Sequence, residues 1–352
     1  MTTPPPWVVG VVTRVADALA KLRRRLIPRS FGVIELGTMS WVAQSLAAFC
    51  ELRLPDALAS GPRTADELSA QGYGDRDKVF RLLRALAAYD VVKYVGENRF
   101  ALGHFGTALT GEHSAAPMIL YANAPWHLAG YAQLAAGIRE NRPGFDVSQG
   151  VPLFSYFEQH PQAGATFDAA MQSLTLLFAA PFAAAYDFSR MRHVVDVGGG
   201  TGVLLATVLQ RFAHLRGTVF ELPAVIPRVR TGERLDAAAG NILTGAPPAA
   251  DAYIFSHILH DWDDESCVRM LRNVRGAMQA NARVLVYEIV APPPNNRWTQ
   301  DRITDLEMLA MLSGRERTRE EFAALFERAG LRLKRVIATA APESILEALS
   351  HD

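Results

Sequence analysis

Val194-Val195-Asp196-Val197-Gly198-Gly199-Gly200-Thr201-Gly202 decides the fold. The run Val194–Val197 is apolar apart from one aspartate and reads as a short buried strand. Glycines then stop it. The apolar run Val203–Leu209 follows at helical length. Strand, glycine turn and helix make the opening unit of an open α/β sheet, whose ligands sit outside the carboxyl ends of the strands. Glycine is needed there because a side chain would hold a ligand off the backbone. The dinucleotide spacing G-x-G-x-x-G fails in both registers. Its third glycine would fall at Val203 or at Leu205. The phosphate-loop pattern fails too, since no Gly-Lys-Ser/Thr follows. What remains is Asp-x-Gly-x-Gly-x-Gly, with Asp196 as its acid.

The chain outside this stretch sets bounds. Its 352 residues allow two domains or one large one, and the 49% hydrophobic content supports a sizeable core. Lys plus Arg balance Asp plus Glu at 36 each, so charge gives no case for a nucleic-acid partner. The two cysteines, Cys50 and Cys267, are too few and too far apart for a disulfide framework or a thiolate zinc cluster. No uninterrupted apolar run nears the roughly 20 residues that span a membrane. Met1 to Pro6 lacks the basic region of a signal peptide. These readings predict a soluble cytoplasmic protein.

Residues 1–10 read as a loose terminus. From Val12 a helical period runs through Val15, Ala16, Leu19, Leu22 and Leu26, with Lys21, Arg23, Arg24 and Arg25 on the other face. Such a helix either lies on a membrane surface or docks on a neighbour. The weakly polar stretch Ile34–Leu52 suggests burial against a partner subunit. A small module follows. Leu54–Leu58 is a short helix, Thr64 to Glu67 opens a second with a capping box, and Arg76–Ala88 is a third. Val91–Leu102 alternates around Gly96-Glu97-Asn98 and reads as a hairpin. Three helices and a hairpin make a winged-helix shape, but its basic residues are offset by acids, which argues against DNA binding. Ser114–Ser189 reads as mostly helical, broken at Pro143-Gly144 and Pro152. Its Phe167, Met171 and Phe178 read as core packing or as the wall of a pocket for a flat apolar molecule. Strands are expected at His193–Val197, Thr218–Glu221, Asp251–Ser256, Arg283–Ile289 and Leu331–Thr339. Thr318 to Glu321 forms a capping box, and Gly330 ends its helix. Domain limits fall at 1–110, 111–190 and 191–352.

Two positions carry chemistry by type and place. Glu221 ends the second strand, 25 positions after Asp196, where a carboxylate accepts hydrogen bonds from a ribose diol. Ser256-His257-Ile258-Leu259-His260-Asp261-Trp262-Asp263-Asp264 follows a later strand and so lies at the same sheet edge. Its two histidines and three aspartates are metal-ligand types, yet no H-E-x-x-H spacing or cysteine partner sharpens that reading. The other reading is a general base, since imidazole titrates near neutrality and can take a proton from a phenol.

The glycine stretch resembles the nucleoside-binding loop of S-adenosylmethionine-dependent methyltransferases. Phe220-Glu221-Leu222-Pro223, His260-Asp261-Trp262 and Gly314-Arg315-Glu316-Arg317-Thr318 follow in order. Together the four motifs resemble the plant and bacterial small-molecule O-methyltransferase family, and the likeness covers nearly the whole chain. It implies an amino-terminal winged-helix dimerisation module before a Rossmann-like sheet domain, a homodimer, and S-adenosyl-L-methionine as cofactor with S-adenosyl-L-homocysteine as product. The resemblance makes His260 the catalytic base, flanked by Glu288 and Glu316. It assigns Asp196, Gly198 and Gly200 to the cofactor loop, Glu221 and Leu222 to ribose and adenosine, and Asn241 and Ile242 to adenine. Met171 and Met308 match apolar positions that hold the acceptor ring. Departures are Asn241 in place of an acid, a poor strand pattern over Leu235–Gly240, and Ser256 where plant members often carry a longer cationic side chain.

The reading that follows is transfer of a methyl group to a hydroxyl of a small aromatic acceptor, with Ser256 among the cofactor contacts, Phe167 among the acceptor contacts and no metal required. Alternatives are a homologue doing N- or C-methylation, a cofactor-binding relative that does not methylate, and a ligand-sensing DNA-binding regulator.

Overall fold

The computed structural model describes residues 5–351. Two long helices open the chain, α1 (Pro6–Leu26) and α2 (Arg29–Glu51). Next come α3 (Leu54–Ala59), β1 (Arg63–Thr64), α4 (Ala65–Ala70), α5 (Arg76–Ala87), β2 (Val92–Tyr94) and β3 (Arg99–Leu102). Six helices follow: α6 (Ala116–Ala122), α7 (Pro125–Ala132), α8 (Leu134–Glu140), α9 (Gly144–Gln149), α10 (Leu153–Gln159) and α11 (Pro161–Ala185). The chain then runs through β4 (His193–Val197), α12 (Val203–Arg211), β5 (Arg216–Glu221), β6 (Leu235–Ala239), β7 (Ala252–Ser256) and α13 (Asp264–Ala277). The chain closes with β8 (Arg283–Glu288), β9 (Val290–Ala291), α14 (Asp301–Met311), β10 (Arg317–Thr318), α15 (Arg319–Arg328), β11 (Leu331–Ala338) and β12 (Ser344–Ser350). The loose terminus expected over residues 1–10 is corrected: α1 starts at Pro6, whose fixed φ suits a first helical turn. Residues 1–4 lie outside the described residues.

The chain divides into two compact units. One comprises Ala20–Leu128 and Phe157–Leu174. Its antiparallel sheet, in the order β1-β3-β2, shares a core with α2 to α5 built on Phe49, Leu54, Leu58, Leu83 and Phe100. The Thr64–Glu67 capping box forms as its sequence demands, with both reciprocal hydrogen bonds present. The apolar residues Phe31, Ile34, Leu36 and Trp41 of α2 are exposed, and no residue of α1 is buried. By length and composition α2 and α11 are each long and apolar enough to cross a membrane. Neither is an unbroken apolar run, since Glu35 interrupts α2 and Asp168 interrupts α11.

The other unit holds the residues up to Leu19, Ala129–Tyr156 and everything from Thr175 onward. A seven-stranded sheet runs in the order β11-β12-β8-β7-β4-β5-β6. The ladders from β6 across to β8 are parallel, while β12 is antiparallel to both of its neighbours. Helices cover both faces, so the central strands are nearly all buried. Each of the five expected strands forms, with ends within two residues of the sequence reading. The poor pattern at Leu235–Gly240 is corrected: Leu235–Ala239 is a strand, held at the sheet edge by a five-residue ladder to β5. Pairing overrides the weak strand preference of its alanines. The pleat also fixes the site. Val197 lies opposite Phe220 on one side and Phe255 on the other, Glu221 opposite Ala239, and Ser256 opposite Tyr287. Gly198, Glu221, Asn241, His257 and Glu288 therefore emerge along one carboxyl edge. Chain order reverses between β4 and β7, which is where such sheets open a crevice.

Candidate active site

Asp196 sits one residue from the carboxyl end of β4 and is 1% exposed. Among the described residues, neither carboxylate oxygen has a hydrogen-bond partner. Buried polar atoms are rarely left so, and an unpartnered acid beside a loop marks a place for a ligand's donors. Burial first, and then the charge of Glu221, push Asp196 up to about 7. The loop next to it turns at Gly198, φ 71°, and Gly200, φ 56°. A β-carbon on Gly198 would lie 2.6 Å from the Ile258 side chain, whereas one on Gly200 would meet nothing within 4 Å. The loop thus packs on one side and is open on the other. Glu221 is raised by burial, opposed by the amide of Leu222, which donates to its Oε2. Leu222 itself is exposed. An unpartnered acid, an open glycine face and a half-buried carboxylate at the next strand end suit a cationic nucleoside.

The adenine positions are less set. Asn241 is exposed, and its Oδ1 accepts from the amide of Leu243 at 2.9 Å. Ile242 is half-buried, with its carbonyl accepting from Asn273 at 2.7 Å. Ser256 is half-buried, its Oγ 3.3 Å from Nδ1 of His257.

His260 lies on a single 3-10 turn, Leu259–Asp261, just after β7. The imidazole is almost wholly buried, and Nδ1 stands 3.0 Å from Oε1 of Glu316. Glu288 meets the backbone of the same turn and makes no hydrogen bond to the ring. Its Oε1 accepts from the amides of Ile258, Leu259 and His260 at 3.2, 2.6 and 3.3 Å. Glu288 and Glu316 each keep a second oxygen without a partner. Asp261, quoted in the sequence motif but given no role as a neighbour of the base, stands 3.4 Å from Nε2 of His260. Burial would lower the imidazole, but Asp261, the Glu316 hydrogen bond and the Glu288 and Glu316 charges hold it at about 10. Burial raises Asp261 to about 6 against the pull of His260, and raises Glu288 likewise. A proton on Nε2 therefore sits in a cluster that stabilises it.

His257 occupies left-handed backbone, φ 54°, and its Nε2 lies 3.2 Å from buried Glu343. Asp263 caps α13 through the amide of Ser266, at 2.8 Å. Among the described residues, no group of three or more His, Cys, Asp or Glu is placed to hold a metal ion. Phe154 stacks on Trp262, with ring centroids 6.1 Å apart, at the end of the His260 turn. Met308 is buried on α14. Phe167 and Met171 lie on the part of α11 that belongs to the other unit, where Phe167 packs against Tyr121 and Phe157.

Residues 131–332 match the O-methyltransferase domain profile, and residues 34–111 match the O-methyltransferase dimerisation domain profile. The chain is 36% identical over 320 residues to the mitomycin biosynthesis 6-O-methyltransferase of Streptomyces lavendulae, covering 88% of this chain and 91% of that one. It is 34% identical to the 8-amino-8-demethylriboflavin N,N-dimethyltransferase of Streptomyces davaonensis, covering 82% and 86%. A crystal structure of an O-methyltransferase from neocarzinostatin biosynthesis, in complex with S-adenosyl-L-homocysteine and 1,4-dihydroxy-2-naphthoic acid, superposes with a TM-score of 0.72 at 31% identity, covering 88% and 96%.

Proposed function

The chain belongs to the O-methyltransferase family, and we propose that it moves a methyl group from S-adenosylmethionine to a hydroxyl of a small aromatic acceptor, with His260 as the base. The observation that carries this reading is the His260 imidazole, bonded at Nδ1 to Glu316 and set at the same sheet edge as the unpartnered acid Asp196. Asp196, Gly198, Gly200, Glu221, Leu222, Asn241, Ile242 and Ser256 are the proposed cofactor contacts. When bound, the cofactor supplies a sulfonium methyl already activated for in-line displacement. The protein's own work is then alignment and removal of one proton. Alignment lowers such barriers by roughly 7–11 kcal/mol in favourable systems, and general base catalysis adds about 10²–10⁴-fold.

His260 takes the hydroxyl proton at Nε2, with Asp261 beside that atom. Glu316 holds the tautomer by accepting from Nδ1, and Glu288 holds the backbone of the turn. The carboxylates that stabilise the imidazolium also keep the resting ring protonated, so His260 must shed that proton before it acts. The family resemblance assigns Met171 and Met308 to the acceptor, Phe167 is read from its apolar helical stretch as wall for a flat molecule, and the Phe154–Trp262 stack supports a flat acceptor. The dimethyltransferase relative favours a second reading in which the acceptor is an aromatic amine. A screen of paired phenols and anilines with labelled cofactor tests both: transfer to phenols supports the first, transfer to anilines alone supports the second, and cofactor binding without transfer to either removes methyl transfer.

The exposed apolar residues of α1, just before the matched dimerisation region, and of α2, which runs into it, support a homodimer with a winged-helix module in residues 1–110, followed by a connector at 111–190 and the catalytic domain at 191–352. A cytoplasmic location fits the two buried free cysteines.

A further inference from the structure

The turn that carries His260 presents two polar rows. Its amides converge on Glu288. Its carbonyls need partners as well, because the turn is buried. Two of them, those of Leu259 and Trp262, accept from the Cys267 thiol at 3.1 and 3.5 Å and more closely from one guanidinium. Arg317 is 0% exposed, and its Nη1 and Nη2 donate to the carbonyls of Leu259 and Trp262 at 2.8 and 2.7 Å. Nε and Nη2 of the same guanidinium donate to Oδ1 of Asp264 at 3.0 and 2.8 Å. The backbone just upstream is pressed against the turn. A β-carbon on Gly314 would lie 1.8 Å from the carbonyl oxygen of His260, so only glycine permits this approach. Parallel pairing of β10 with β9, Arg317 opposite Val290, anchors the segment two residues beyond Glu288.

We infer that Arg317 is a positioning residue for methyl transfer: by bridging Asp264 to the carbonyls of Leu259 and Trp262, it fixes where the His260 imidazole stands. The inference rests on His260 acting as the base. Burying a guanidinium costs desolvation, and a well-packed apolar side chain often stabilises a core equally well. What arginine adds is a rigid planar fork with donors in fixed directions, which lysine lacks. Here the fork joins the first turn of α13 to both ends of the turn that carries the base. Glu288 complements the positive row of that turn, and Arg317 complements the negative row. The backbone held between them, which carries the ring, has little freedom to shift.

Arg317→Lys keeps the charge and loses the fork. In single-turnover assays at saturating cofactor and acceptor its rate is expected to fall about 10–100-fold, the scale of a small misplacement of a catalytic group. Cofactor Kd and acceptor KM are expected to stay within about twofold. Asp264→Asn, at the half-exposed end of the bridge, is expected to show a smaller fall in the same direction, and it carries the test if the lysine variant does not fold. In protein with carbon-13 histidine, the His260 ring signal, assigned by its loss in His260→Gln, is expected to shift or broaden in both variants. Wild-type rates with an unmoved ring signal overturn the inference. So does a parallel loss of rate and cofactor affinity, which marks Arg317 as support for the whole domain. Should the wild type transfer no methyl group to any hydroxyl, the proposed function falls, while the ring signal still decides the role of Arg317.

Discussion

The loop at Asp196 and the turn at His260 leave the same sheet edge, and they differ in how far the protein finishes them. The turn is held on three sides: amides by Glu288, ring by Glu316, carbonyls by Arg317. The loop has a buried acid with no hydrogen-bond partner among the described residues and a glycine face open to its surroundings. The difference fits a division of labour. Groups that must be aimed before reaction are aimed by the fold, whereas the loop awaits donors that a ligand brings. Preorganisation belongs where charge and protons move, and an unpartnered acceptor belongs where binding occurs.

Breaking the finished side should have the largest effect. His260→Gln is expected to lower turnover about 10²–10⁴-fold and to leave cofactor affinity unchanged, as measured by calorimetry beside steady-state assays. Next is the unfinished side. Asp196→Asn removes one charged hydrogen-bond acceptor, a class of bond that contributes about 1.5–3 kcal/mol, so cofactor Kd is expected to rise about 10–100-fold. Glu316→Gln is expected to lower the maximal rate about tenfold, the lower end of that range. Its pH–rate profile sharpens the comparison. The Glu316 charge and hydrogen bond raise the imidazole, so losing them must lower it and move the rising limb to lower pH. The smallest effect is on binding. In the proposed site a cationic cofactor would pair with ionised Asp196, whose midpoint is about 7. Affinity should therefore rise with pH through that value, at most about tenfold per unit, and Asp196→Asn should flatten the dependence.

Much of this was legible in the residues because it is local. Strand, glycine turn and helix around Asp196 follow from a hydrophobic run and a few glycines. Both capping boxes follow from a four-residue pattern and form as read. Long-range pairing was not legible. Ser344–Ser350 has no strand alternation, yet it becomes β12 because two neighbours offer ladders, and its Glu347 is buried against Arg283 and Arg335. Leu235–Ala239 is the same lesson at the other edge. In the site, His260 and Glu316 were named through the family motif, and the contact between them spans 56 residues of sequence. That Glu288 grips amides, that Asp261 faces Nε2, and that Arg317 takes carbonyls depend on side-chain directions, for which no sequence period exists.

The most direct measurement follows the Asp196 carboxyl carbon by NMR, with and without saturating S-adenosylmethionine, while the His260 ring is recorded in the same samples. The account predicts an Asp196 signal that titrates near neutrality in the free protein and becomes fully ionised on binding, beside a ring signal that hardly moves. An Asp196 signal indifferent to the cofactor would contradict it.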